Sequence, residues 1–496
     1  MSEAIAAQLP ATESVLPKQR GLYFAGEWHE ATGARSFETF SPGSGKSLGQ
    51  VAEAGEADVA AAIGAAHAAF PEWSAVPPLE RARILRELAR IVRENAHELA
   101  LLDAVDCGNP VRAMVGDANI ASAQIELFAG LVTEMKGASI PMGPGRLNVS
   151  VREPLGVVAR ISPFNHPFMF AAAKIAAPLA AGNTVLIKPP EQAPLSALRL
   201  AELAGDLFPP GVFNVVTGSS REVGAWIVAD PRVAKVGLIG SVAAGQAVMR
   251  NSADALRPVL LELGGKNALI AYPDADPDAV AQAMVAGMNF AWCGQSCGST
   301  SRVFLHGDIH DAVLARVAKH IQAFTPGLPE SWDTTMGALA SKAQYDRTLH
   351  YIETGRAEGA TVFAGGKPPD TPALAEGYFV EPTIFTDVTS DMTIARDEIF
   401  GPVCSVLRWQ DEATMLTEVN ALDVGLTCSI WTRDFDAALR TATAVEVGYV
   451  WVNEVSKHFV GAPFGGKKQS GIGREECIEE MLSFTDLKNI HMKFAG

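Results

Sequence analysis

Five short β-rich runs decide the fold: VVARI (157–161), TVLI (184–187), VFNVV (212–216), AKVGLI (234–239) and NALIA (267–271). Ala/Leu-rich stretches separate most of them, and each strand-plus-helix pair takes roughly 20 to 30 residues. That rhythm predicts βαβ units between Val157 and Ile270, and hence a parallel sheet covered by helices on both faces.

Downstream, a second alternating block spans about Val303 to Val452, with the helical pattern IHDAVLARVAKHIQAF and the strand-like runs CSVLRW, CSIWT and YVWVN. A second α/β domain is expected there. Upstream, GLYFAGEWHEATGARSFETFSP alternates aromatic and polar residues around Gly26 and Gly33, as hairpin strands do. From Pro78, the residues Ile84, Leu85, Leu88, Ile91 and Val92 recur at helical spacing among arginines and glutamates. The Pro/Gly-rich segment 365–377 reads as an exposed loop.

With 496 residues, of which 48% are apolar, the chain can bury several cores. A net charge of −16, without a basic run, argues against nucleic acid as a partner. The most apolar region, Ile161 to Ile187, is split by Lys174 into two proline-interrupted stretches of 13 residues, too short to span a membrane. Six cysteines are too sparse for a disulfide framework at this length, and MSEAIAAQLPATESVLPKQR lacks the pattern of a secretion signal. A cytoplasmic protein with reduced thiols is expected.

The densest chemistry is in FAWCGQSCGSTSR (290–302), where Gly294, Gly298 and the small residues between them let backbone approach a ligand. A thiol there can be a nucleophile, a buried inert cysteine, or, with Cys293 and Cys297 four apart, half of a metal site. Glu262 in LLELGGKN follows an apolar run and precedes two glycines, so it serves either as a desolvated general base or as a turn or helix N-cap acid. IGSVAAG (239–245) falls between a strand and a helix, where backbone N–H groups can hold a phosphate, although it is not GxGxxG. In KPPEQAP, Lys188 and Glu191 can reach ribose hydroxyls or form a solvated loop pair.

Taken in order, these segments resemble the aldehyde dehydrogenase superfamily from about Gly21 to His491. The motifs that carry the resemblance are SPFNHP, KPPE, IGSVAAG, LELGG, GQSC, EIFGP and PFGGKKQSGIGRE. The resemblance implies that Cys297 attacks an aldehyde carbonyl, with the oxyanion held by the Asn165 amide and the Cys297 backbone N–H. Hydride transfer to a nicotinamide would leave a thioester, which water activated by Glu262 hydrolyses to a carboxylic acid. Branches of the superfamily that pass the acyl group to coenzyme A resemble this pattern but lack that acid. The implied cofactor is NAD rather than NADP, because Glu191 would accept from a ribose 2′-hydroxyl and repel a 2′-phosphate.

The resemblance also implies cofactor contacts from Ser162, Pro163, Phe164, Lys188, Glu191, Gly224, Gly240, Ser241, Gly264, Glu398 and Phe400, with no metal. Tunnel residues would be His166, Phe170, Trp292, Ser296, His458 and Phe464. Departures from the commoner pattern are His166 and Ala173, where larger apolar or aromatic residues are usual, Trp292 and Cys293 before GQ, and Lys457, His458 and Phe459 ahead of PFGG. They suggest a roomy, partly polar tunnel for an aromatic or carboxylate-bearing aldehyde, unless Lys457 and His458 face solvent at its rim.

The implied architecture is a discontinuous Rossmann-like cofactor domain (20–130 and 152–264), an α/β catalytic domain (265–465) and a two-stranded oligomerisation arm (131–151) joined by 480–496. Exposed edges on such an arm favour pairing across subunits, in a homodimer or homotetramer.

Overall fold

A computed structural model of the chain describes residues 10–494. The first part of the leader and the last two residues of the expected C-terminal extension lie outside that range. The first sheet has eight strands, ordered Glu27–His29, Leu22–Phe24, Phe213–Val215, Thr184–Lys188, Val157–Ile161, Val233–Gly240, Val259–Leu263 and Gly471–Ile472. Its five central strands are parallel. In chain order these five run 3-2-1-4-5, so the winding reverses between Val157–Ile161 and Val233–Gly240. Ligands of open α/β sheets bind beyond the strand C-termini at such a switch point.

Alternation along these strands explains why both faces are covered. Val158, Val185 and Ile187 join one apolar core, whereas Val157, Ala159 and Leu186 join another. A third core belongs to the second sheet, ordered Thr361–Ala364, Thr383–Thr386, Val403–Trp409, Arg302–His306, Ala268–Ala271, Thr427–Trp431 and Tyr449–Val452. All of its pairings are parallel except the one made by Thr361–Ala364.

One expectation is corrected. NALIA does not continue the first sheet; Ala268–Ala271 lies in the second, and Val259–Leu263 is the fifth parallel strand. Only 264–267 separate these two strands, far short of the dozen or so residues a parallel crossover needs. The strands of the arm are ordered Thr485–Lys493, Arg146–Pro154 and Ser139–Pro141, and the C-terminal strand pairs along the whole of Arg146–Pro154. The amphipathic helix runs Pro78–Glu94, and a longer helix, Val111–Leu131, fills the stretch before the arm. No helix among the described residues is long and apolar enough to cross a membrane.

Candidate active site

The two loops that flank the switch point carry the first half of the site. Pro163, Phe164 and Asn165 follow the strand Val157–Ile161, while Gly240 ends its neighbour Val233–Gly240 and Ser241 follows it, and all five line one cavity of about 210 Å³. Ser241 caps the helix Val242–Ala253, its hydroxyl accepting from Ala244 N–H, so the free amides of that first turn open beside the cavity. Asn165 is held through its backbone carbonyl by Asn109 Nδ2 at 2.7 Å, and its own Oδ1 is buried with no protein partner.

Glu398 and Phe400 close this cavity from the second domain. Glu398 accepts from Gly265 N–H at 3.1 Å, and burial raises its pKa to about 6 despite that bond and nearby Lys266. A side chain at Gly264 would strike the Glu398 carboxylate, which explains the glycine. Phe400 has a positive φ of 59°, held by Gln344 Nε2 donating to its carbonyl at 2.6 Å, and its ring meets Phe164 edge-on at 5.7 Å.

Cys297 and Glu262 belong to this cavity and also to a second, of about 310 Å³. Glu262 comes from the first sheet and Cys297 from a loop leading into the second. Glu262 is the penultimate residue of Val259–Leu263, and no helix follows, which removes the N-cap alternative. Both of its carboxylate oxygens are buried without a hydrogen-bond partner. Burial, then the charge of Glu475, raises its pKa well above the carboxylate range, with Lys174 and Arg474 opposing.

Cys297 sits in the loop between the turn Phe290–Trp292 and the strand Arg302–His306. Asn267 pins that loop, its Nδ2 donating to the carbonyls of Cys297 at 2.6 Å and Ser299 at 3.0 Å. Burial, followed by Glu262 and Glu398, raises the Cys297 thiol to about 12. Cys293 is the inert one: it is fully buried and turned to the Gly337 carbonyl at 3.0 Å. Among the described residues, no group of three or more potential metal ligands converges.

The second cavity gathers all six expected tunnel residues, His166, Phe170, Trp292, Ser296, His458 and Phe464. His458 packs on Phe464 at 4.5 Å and approaches Glu476 at 3.2 Å, while Lys457 is exposed at the rim. Two neighbours fall elsewhere. Phe459 is 76% exposed and lies off the lining, and Ala173 is sealed in the first core.

Some expected cofactor residues stand back from the first cavity. Ser162 ties the switch loop to the next strand by donating its N–H to the Lys188 carbonyl at 3.1 Å. Lys188 is buried rather than solvated, 3.8 Å from a half-exposed Glu191, and burial lowers its pKa. Gly224 lies in the helix Arg221–Ala229 with open space where a Cβ would be, off the cavity lining.

Sequence reasoning missed a buried charge cluster under Glu262. Glu475 takes Arg160 at 2.7 Å and Lys174 at 2.9 Å, and those cations hold its pKa down against burial. Nothing in the local text marked them, because their partners come from segments some 300 residues apart. The missed Asp117 and Gln124 also line the second cavity, from the helix Val111–Leu131.

A doubly wound sheet whose switch point opens on a cavity shared with a cysteine and a buried carboxylate has the architecture of a dinucleotide-type oxidoreductase. The aldehyde dehydrogenase family model matches residues 28–490, and the chain belongs to that family of enzymes. It is 50% identical to aldehyde dehydrogenase tropH of Talaromyces stipitatus, over 99% of this chain and 97% of that protein. It is 40% identical to hydroxyisobutyraldehyde dehydrogenase of Mycolicibacterium austroafricanum, covering 95% and 93% of the two. An NAD+ complex of aldehyde dehydrogenase from Bacillus cereus superposes with a TM-score of 0.94 at 38% identity, covering 98% of this chain and 99% of that one.

Proposed function

We propose that this aldehyde dehydrogenase oxidises an aldehyde to the carboxylic acid with NAD, by way of an acyl group held on Cys297. The observation that carries the reading is that Cys297 and Glu262 alone among the expected catalytic and tunnel residues line both cavities, one lined with aromatic rings and the other at the switch point. The residues of the switch-point cavity fit a dinucleotide: a helix N-terminus at Ser241, a side-chain-free approach at Gly264, and the Glu398 carboxylate for ribose hydroxyls. Bound there, NAD would supply the hydride acceptor. An exposed Glu191 favours it over NADP, whose 2′-phosphate a carboxylate would repel.

Sγ of Cys297, its proton lost to water, adds to the aldehyde carbon, and the resulting oxyanion accepts hydrogen bonds from the Asn165 amide and the Cys297 N–H. Each such donor contributes roughly 3–4 kcal/mol at the transition state. Loss of hydride from that carbon leaves a thioester on Sγ. Glu262, with a carboxylate that holds protons tightly, then takes one from a water molecule, which attacks the thioester and releases the acid. Coenzyme A is not required for this release.

The rings of Phe170, Trp292, Trp451 and Phe464 around the second cavity support an aromatic aldehyde. A carboxylate-bearing aldehyde draws support from Lys457 alone, which has no ion-pair partner among the described residues. Purified protein given an aromatic aldehyde and NAD should form NADH and the acid in equal amounts without coenzyme A, and more slowly with NADP. No cofactor reduction with aromatic, aliphatic or carboxylate aldehydes, or a strict need for coenzyme A, would contradict the reading.

A further inference from the structure

One face of the helix Val111–Leu131 lines the second cavity, contributing Asp117, Ile120 and Gln124. Gln124 is 1% exposed, yet its Oε1 has no hydrogen-bond partner. An unsatisfied buried amide costs about 1–3 kcal/mol, so a ligand group that supplies the missing bond is stabilised there. His166 lines the same cavity, with Nδ1 2.6 Å from Asp117 Oδ2, and that contact leaves Nε2 as the ring's remaining polar atom. Trp292 packs 5.2 Å from His166 with its Nε1 buried and unpartnered as well.

Charge decides what kind of group belongs beside them. Asp117 already answers His166, Glu475 answers Lys174, and Glu476 answers His458. An anion in the cavity would therefore meet Glu262, Glu475 and Glu476, with Lys457 at the exposed rim the one lining lysine outside an ion pair among the described residues. A neutral group that both donates and accepts matches the unpartnered Gln124 Oε1 and Trp292 Nε1 and the His166 Nε2 without that repulsion.

We infer that Gln124, His166 and Trp292 select an aromatic aldehyde bearing a ring hydroxyl remote from the aldehyde, with Asp117 as the positioning residue for His166. The inference rests on the proposed aldehyde oxidation. Its test compares kcat/KM for 3- and 4-hydroxybenzaldehyde with the methyl isosteres at the same positions, and with 4-carboxybenzaldehyde. At one position or both, the hydroxyl should be preferred over methyl by about tenfold, the size of one well-made buried hydrogen bond. In His166→Phe and Gln124→Leu that ratio should fall severalfold, mainly through KM. Asp117→Asn, which can still hold the ring by a hydrogen bond, should lose less of the ratio than Asp117→Ala. Ratios within about twofold of one in the unaltered protein at both positions, ratios unchanged in both variants, or a preference for 4-carboxybenzaldehyde would overturn it. NAD reduction by an aliphatic aldehyde but by none of these would overturn this inference alone, and reduction by neither would overturn the aldehyde oxidation as well.

Discussion

At Cys297 the protein alone works against the thiolate, since burial and the carboxylates of Glu262 and Glu398 hold its thiol near 12. At pH 7 such a thiol is ionised in about one part in 10⁵, against a few per cent for a free cysteine near 8.5. Without NAD, iodoacetamide should therefore label Cys297 far more slowly than free cysteine, with a rate rising about tenfold per pH unit from 7 to 9. Peptide mapping would check this, and labelling as fast as free cysteine at pH 7 would count against the described environment. Glu262 enters with the same sign: its raised pKa makes it a strong base once ionised, so turnover should climb as pH rises above the ordinary carboxylate range. Local sequence left Cys293 and Cys297 equivalent in kind. Their different fates come from packing, with one thiol against Gly337 and the other between two cavities, and a four-residue spacing carries no information on that.

Among the elements, the loops beyond the parallel strands do most of the positioning, and they were the most legible part of the sequence. SPFNHP and IGSVAAG each follow a β-rich run, and the sheet order places both at the reversal of winding. The strand order itself was not legible, because register and neighbours depend on contacts between distant segments. NALIA illustrates this: its apolar run suits either sheet, and only the short 264–267 connection excludes the first. The helix Val111–Leu131 went unread as a site element because Asp117 and Gln124 belong to no motif and meet their partners only across the fold. A prediction belongs to the Gly264 turn. Gly264→Ala would drive a methyl into the Glu398 carboxylate and should weaken NAD binding about tenfold or more in calorimetric titration. Unchanged affinity would remove Glu398 and Gly264 from the proposed cofactor site.

For the whole molecule, two features extend beyond any single domain. The three-stranded arm leaves Ile140, Leu487, Ile490 and Phe494 exposed, and its nine-residue strand Thr485–Lys493 has a free edge. Such an edge invites pairing, so sedimentation should show a homodimer or homotetramer, which Leu487→Glu combined with Ile490→Glu should shift towards monomer. A monomer at micromolar concentration before any substitution would contradict that expectation. The other feature is that the two sheets share one cavity, to which the loop before Arg302–His306 of the second brings Cys297 and the strand Val259–Leu263 of the first brings Glu262. If the first steps need only the thiol and release needs the carboxylate, the two can be separated by removing the base. Glu262→Gln mixed with NAD and an aromatic aldehyde, then analysed by intact mass and peptide mapping, should give one NADH per site and an acyl group on Cys297 that persists. Sustained turnover in that variant, or a burst of NADH with no acyl group on Cys297, would contradict the account.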